Sequence, residues 1–188
     1  ISLYIIGLTL KFRGRLFDSM TIFEKLQQRL IIKNDNLLNG VNFHLIDVYT
    51  IFAIDGINLE DFVKTKKFCD KILAIDSVNK FALCNLALSE YRINGFEKSR
   101  EVVDKALKLY PRDSVVEINV AFIRILQADY NNALKHYYNL LNFGINGVQL
   151  LLVIEFLCDE YEKTHEPAML FASGFLSHYW GDNELAKI

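Results

Sequence analysis

The chain has 188 residues, of which 52% are hydrophobic, and these include 14 Phe and 9 Tyr. This composition is enough to bury a sizeable core, so it excludes a disordered chain and is compatible with a single domain over 1–188. The formal net charge of −2 leaves no basic excess to neutralise a phosphate backbone. Direct nucleic-acid binding by this segment is therefore disfavoured.

The chain opens with ISLYIIGLTLKFRGR, and this segment matches no targeting signal. Its apolar run is about ten residues, whereas a membrane-spanning helix needs about 20. Its basic residues follow the run instead of preceding it, which argues against a signal peptide. The chain begins at Ile1 and ends with GDNELAKI, a stretch like the opening of another helix. We therefore expect a segment of a longer polypeptide.

The three cysteines are sparse and show no CxxC spacing. Cys69, Cys84 and Cys158 lie inside apolar runs. This pattern predicts buried thiols in a reducing compartment, and hence a cytoplasmic location.

Residues of the same chemical type recur at a step of 34 positions from Ile46 onward. One series is aromatic, two are small and two are apolar. The five series are Phe62, Phe96, Tyr130; Thr65, Ser99, Ala133; Ala53, Ala87, Ala121; Phe52, Leu86, Val120; and Ile72, Ala106, Leu140. Five series that agree over three units indicate an internal structural repeat.

The repeat divides the chain into units. Three fall in phase, at 46–79, 80–113 and 114–147, and an earlier one at 1–33 is displaced by an insert at 34–45. The remainder, 148–188, contains two further predicted helices that do not follow the 34-residue step.

Each unit is predicted to be a pair of helices. The Asn94-Gly95 dipeptide predicts the end of the first helix in the third unit, because glycine tolerates positive φ. Pro111 prevents the second helix from continuing through it. Ser114 and Glu117 have the spacing of a capping box and predict the start of the next unit.

These hairpins resemble the tetratricopeptide repeat. The resemblance is carried by Leu86-Ala87, Gly95-Phe96, Ala106-Leu107 and Pro111, and by an Ala-Asp-Tyr…Ala pattern at Ala128, Asp129, Tyr130 and Ala133. It implies an all-α fold, a right-handed α-solenoid of helix–turn–helix hairpins. It also implies a concave surface, formed by the first helix of each unit, that binds peptides or helices of partner proteins.

The free faces of the first helices are unusually apolar for such a surface. The family's basic clamp for a carboxylate is missing, so a hydrophobic peptide or helix of a partner protein is the expected ligand. The alternative is that the tail, the insert or a second copy of the chain covers these side chains. The predicted partner-binding residues on these faces are Tyr4, Leu8, Phe12, Phe81, Leu88, Tyr91, Phe122 and Ile125. Val115 and Ile118 belong to the same apolar face as Phe122.

Asn85 and Asn119 repeat 34 positions apart on the same helices. The resemblance implies that an Asn in this position can hydrogen-bond the backbone of a bound peptide. An amide group both donates and accepts, which suits a peptide main chain. The alternative is a surface Asn with no ligand.

The sequence contains no motif that would indicate an enzyme. His44, His136, His165 and His178 form no HExxH pair, and GxSxG, P-loop and GxGxxG motifs are missing. No catalytic residue, metal site or cofactor is therefore predicted. Two other functions stay open beside a protein-interaction module: a sensory or oligomerisation domain of a bacterial transcriptional regulator, and a secretion-type chaperone.

Overall fold

A computed structural model describes residues 2–33, 35–142, 145 and 147–181. Over these residues the regular secondary structure consists of ten α-helices. The chain divides into two compact units, Ile1–Gly95 and Phe96–Ile188. The division falls at the turn that follows Asn94, and each unit is described by itself below.

Unit 1 is a succession of five helices in which each packs against the next along the chain. Such neighbour-to-neighbour packing is the architecture of helical repeats, in which a hairpin buries its apolar face against the adjacent hairpin. The helices are α1 (Ser2–Phe12), α2 (Leu16–Lys33), α3 (Leu38–Asn58), α4 (Phe62–Ile75) and α5 (Lys80–Asn94).

Unit 2 also contains five helices. Two hairpins, α7 with α8 and α9 with α10, make the most extensive contacts, and α8 also packs against α10. The all-α helical-repeat class predicted from the sequence is thereby confirmed. The helices are α6 (Phe96–Leu109), α7 (Ser114–Leu126), α8 (Tyr130–Asn142), α9 (Gly147–Thr164) and α10 (Pro167–Trp180).

Small side chains between the helices of a hairpin follow the predicted series. In unit 1, Ser19 Oγ donates to the carbonyl oxygen of Gly7 over 2.8 Å, and Thr65 Oγ1 donates to that of Ala53 over 3.3 Å. Both bonds join positions 12 residues apart. A small residue is needed at each position because the second helix reaches the backbone of the first.

The turns inside the hairpins repeat as well. The amide of Asp61 donates to Gly56 O over 2.8 Å, and the amide of Asp129 donates to Arg124 O over 2.9 Å. In each turn the preceding residue takes a positive φ, 55° at Glu60 and 56° at Ala128. This is a Schellman-type ending, which satisfies the last carbonyl groups of a helix.

The parts of the chain that depart from the 34-residue step contain hairpins whose first helix is long. The residues from Leu38 to Leu45, predicted as part of an insert, form the first turns of α3, which has 21 residues. In the C-terminal part, α9 has 18 residues where α7 has 13. These longer helices shift the 34-residue phase without ending the series of hairpins.

The start of α7 differs from the predicted capping box. Its N-cap is Asp113, whose carboxylate accepts from the amides of Val115 and Val116. Ser114 is the first helical residue, and Glu117 instead turns toward α8, where Oε2 lies 2.5 Å from Nδ1 of His136. The carboxylate that directly precedes the helix therefore takes the capping role that was predicted for Ser114.

Two further expectations from the sequence can be compared with the structure, one on the cysteines and one on membrane-spanning segments. Cys69 and Cys84 are buried, whereas Cys158 is only half-buried, with Sγ 3.3 Å from Ser173 Oγ. Among the described helices, none is both long enough and apolar enough to cross a lipid bilayer.

Candidate functional site

The clearest candidate site is a groove between α7 and α9, the first helices of the two hairpins in unit 2. It encloses about 250 Å³, which is room for a few side chains of a partner. Its lining is uncharged and mainly apolar. The lining residues are Ser114, Val115 and Ile118 from α7, and Gln149, Leu152, Val153 and Phe156 from α9. This surface is called the α7–α9 groove below.

Two of the predicted partner-binding residues are buried beside this groove. Phe122 is 5% exposed and Ile125 is 2% exposed. The ring of Phe156 meets that of Phe122 edge-on, with centroids 4.9 Å apart. Phe122 and Ile125 therefore present little surface to a partner, and their predicted role in binding stays a prediction. For Phe122 the cover is the C-terminal part of the chain, which was the alternative raised from the sequence.

Helix α9 contributes a stripe of exposed apolar side chains. Val148, Leu152 and Phe156 are 72%, 59% and 40% exposed. They are spaced four residues apart, so they lie on one face of the helix. On α7, Val115 is 40% exposed. A row of exposed apolar side chains on one helix face is a candidate binding surface.

Asn85 and Asn119 make the same hydrogen bond on α5 and α7. Asn85 Nδ2 donates to the carbonyl oxygen of Phe81 over 2.9 Å, and Asn119 Nδ2 donates to that of Val115 over 2.8 Å. The amide nitrogen of each is therefore committed to its own helix. Each Oδ1 atom has no hydrogen-bond partner among the described residues, so it could accept from a ligand N–H group. A role in ligand binding stays a prediction.

The corresponding face of α1 is closed by α3. Tyr4 packs edge-on against Phe23, and its hydroxyl lies 3.1 Å from Nε2 of His44. Near the end of α1, Lys11 Nζ donates to Asp47 Oδ2 over 2.6 Å. Tyr4 is thus covered by the segment that was predicted as an insert.

The surroundings of His44 also affect its protonation. Burial and the nearby ammonium group of Lys11 lower the pKa of His44, against the opposing effect of Asp47. The imidazole is therefore held neutral more firmly than a free histidine, and it stacks on Phe23 with the ring planes 18° apart.

The remaining predicted residues lie elsewhere in unit 1. Leu8 is half-buried on α1, and Phe12, the last residue of α1, is 87% exposed. Phe81, Leu88 and Tyr91 are half-buried on α5. The structure therefore does not gather the predicted set into one surface, and none of the residues that line the α7–α9 groove belongs to that set.

The groove residues that the sequence analysis missed are those of α9. The signal for them was present in VQLLLVIEF, where apolar residues recur four positions apart. Val148, Leu152 and Phe156 could have been identified as an apolar face from this spacing. Their pairing with α7 could not, because the shift of phase hid the fact that α9 begins a new hairpin.

The α7–α9 groove has few polar side chains among the described residues. Its polar lining residues are Ser114 and Gln149, and no acid, base or thiol lines it among the described residues. The contact of Glu117 on α7 with His136 points into the hairpin, and Glu117 is only 5% exposed. The arrangement is suited to holding apolar side chains by burial.

No protein-family model and no curated protein matches the sequence. Among solved structures, the chain is similar to PilF of Pseudomonas aeruginosa, with 12% identity and a TM-score of 0.46. The match covers 99% of this chain and 86% of that chain. A similarity of this size says nothing about function, which is therefore argued from the groove.

Proposed function

We propose that the chain is a protein-interaction module that binds an apolar helix or peptide segment of a partner in the α7–α9 groove. The observation that supports this most is the exposed stripe of Val148, Leu152 and Phe156 opposite Val115. An amphipathic helix with apolar residues at four-residue spacing would complement such a stripe. Burial of the apolar side chains would supply the binding free energy.

The test uses a displayed library of amphipathic helical peptides, selected on the wild-type protein. The affinity of the selected peptides is then measured by fluorescence anisotropy against wild type and Leu152→Glu. A carboxylate in the groove would have to lose its hydration, so we expect binding to weaken at least about 10-fold. The matched control is Val63→Glu, at a site on α4 that is 67% exposed and outside the groove.

Equal affinity for wild type and Leu152→Glu would contradict the proposal. The same two proteins are examined by sedimentation velocity without peptide. A wild-type dimer that becomes a monomer in Leu152→Glu would show that a second copy of the chain occupies the groove. A monomer in both cases, together with weaker peptide binding by Leu152→Glu, is the expected result.

A further inference from the structure

A second cavity lies between α8 and α10, the second helices of the two hairpins in unit 2. Its volume of about 580 Å³ falls within the range of small-molecule sites, about 300–1,000 Å³. It is bounded by Tyr130, Leu134, Glu166, Pro167, Ala168 and Phe171. This is called the outer cavity below, and no residue of it lines the α7–α9 groove.

A smaller inner cavity adjoins the outer one. Its volume is about 20 Å³. Both cavities share the side chains of Tyr130, Leu134, Ala168 and Phe171. The additional walls of the inner cavity are Ile125, Ala133, Tyr137 and Ala172. The two volumes therefore form a wide mouth beside a narrow apolar recess.

The recess is lined by a tyrosine with an unpaired hydroxyl. Tyr137 is 0% exposed, and its hydroxyl has no hydrogen-bond partner among the described residues. Burial raises the pKa of Tyr137 above its usual range, so the group stays protonated. An unpaired buried hydroxyl destabilises a fold, and such groups in proteins usually have a partner.

A water molecule is a poor partner for this hydroxyl. The recess has room for one water, but buried waters usually make two to four hydrogen bonds. Ile125, Ala133 and Ala172 offer no polar side-chain atom, and the hydroxyl of Tyr130, which also lines the recess, already donates to Glu166. An apolar group that carries a single oxygen atom suits these walls better than water does.

The mouth carries a fixed carboxylate. Glu166 Oε1 accepts from the Tyr130 hydroxyl over 3.1 Å and from the amide of Ala168 over 3.3 Å. Oε2 has no hydrogen-bond partner among the described residues. A carboxylate that is held by two donors and keeps one oxygen open favours a cation or an N–H donor.

We propose that the α8–α10 cavity binds an aromatic amine with a hydroxyl group on its ring. The ring would lie between Leu134 and Phe171, its hydroxyl would pair with Tyr137, and its ammonium group would pair with Glu166. This chemistry is present in a free hydroxyphenyl-alkylamine and in the amino-terminal tyrosine of a peptide. Two arms of the experiment distinguish these sources.

Calorimetric titration of the full chain with three probes tests the site. Tyramine carries both polar groups, phenethylamine lacks the hydroxyl and 4-ethylphenol lacks the amine. We expect tyramine to bind about 5- to 20-fold more tightly than either of the others, because each lost partner leaves a buried polar group unpaired. No heat of binding with tyramine at millimolar concentration would overturn the proposal.

Two variants assign the polar contacts. In Tyr137→Phe the preference for tyramine over phenethylamine should disappear, and in Glu166→Gln the preference for tyramine over 4-ethylphenol should shrink. Unchanged preferences in both would refute the assignment. Tyr137→Phe should keep its fold, because it removes only an unpaired hydroxyl, and circular dichroism checks this. The preference of the wild type for tyramine tests the proposal without any variant.

A short peptide with an amino-terminal tyrosine forms the second arm. Tighter binding of the peptide than of tyramine would identify a protein terminus as the source, and the reverse would identify a small amine. Leu152→Glu should leave tyramine binding unchanged. A failure of the α7–α9 groove and a failure of this cavity can therefore be told apart.

Discussion

The first helices of neighbouring hairpins meet differently in the two units. In unit 1, α3 closes the face of α1 through the Tyr4–His44 contact and the Lys11–Asp47 ion pair. In unit 2, the corresponding helices α7 and α9 leave an apolar groove with Leu152 59% exposed. The same hairpin architecture thus serves for internal packing in one place and offers a binding surface in another.

The difference depends on which side chains project from the first helix. Helix α3 places a histidine and an aspartate opposite α1, and these bond its tyrosine and lysine. Helix α9 places Leu152 and Phe156 opposite α7, and these apolar side chains form no hydrogen bonds or ion pairs. A face closed by paired polar groups is satisfied, whereas an apolar face gains free energy when a partner covers it.

The largest expected effect is a loss of stability when the contact between α1 and α3 is removed. Tyr4→Ala should lower the free energy of unfolding by about 2–3 kcal/mol, since it removes a ring packed between helices. Leu152→Ala, in the open groove, should change it by no more than about 0.5 kcal/mol. Urea unfolding of both variants provides the measurement. Similar losses for the two would contradict the contrast between the units.

The next effect tests whether the hairpin interiors are equivalent. Ala53 and Ala121 are both 0% exposed and belong to the same predicted series. Ala53→Leu and Ala121→Leu should each destabilise the protein by about 1–3 kcal/mol, because the added methyl groups overpack the hairpin. Ala74→Leu, on an exposed position of α4, is the control and should be nearly neutral. A thermal midpoint unchanged by Ala121→Leu would show that this register is wrong.

A smaller effect concerns the turns that the units share. Ala128→Gly and Glu60→Gly should each stabilise the protein by about 0.5–1 kcal/mol, because glycine takes positive φ without strain. Ala74→Gly, within helix α4, should have the opposite sign. Thermal unfolding of the three variants measures the sign and size of these stability changes. A loss of stability in Ala128→Gly would mean that the strain at this turn is negligible.

The smallest expected effect is a dependence of the stability on pH, caused by His44 in the polar cluster of unit 1. The pKa of His44 is lowered in the folded state by burial and by Lys11, against the opposing effect of Asp47. Below the unfolded pKa of about 6.5, the unfolded chain takes up a proton that the folded chain resists. Stability should therefore fall as the pH drops from 7 to 5. The slope, measured by urea unfolding, should be shallower in His44→Gln than in wild type; equal slopes would contradict this role.

Much of the fold follows from the sequence because small and aromatic residues recur at fixed steps. Helices α4, α6 and α8 begin at Phe62, Phe96 and Tyr130, the three members of the aromatic series. The start of α7 was misassigned because Asp113 and Ser114 are both good caps, and only the bonds from the Val115 and Val116 amides to Asp113 show which one acts.

The candidate site was less predictable than the fold. Val115 and Ile118 were recognised as part of an apolar face, but Phe122, a few residues further along that face, is covered by Phe156. Helical periodicity identifies the face of a helix, and it does not identify the helix that covers that face. Tyr137 could not be distinguished from an ordinary core residue for the same reason, because its missing partner is a property of the packing around it.

The uncharged lining of the α7–α9 groove has a thermodynamic consequence. A partner that covers Val148, Leu152 and Phe156 removes apolar surface from water, so its association should show a negative heat-capacity change. Added salt should alter the affinity little, because no charge lines the described groove. Association at this surface would therefore respond to temperature more than to ionic strength.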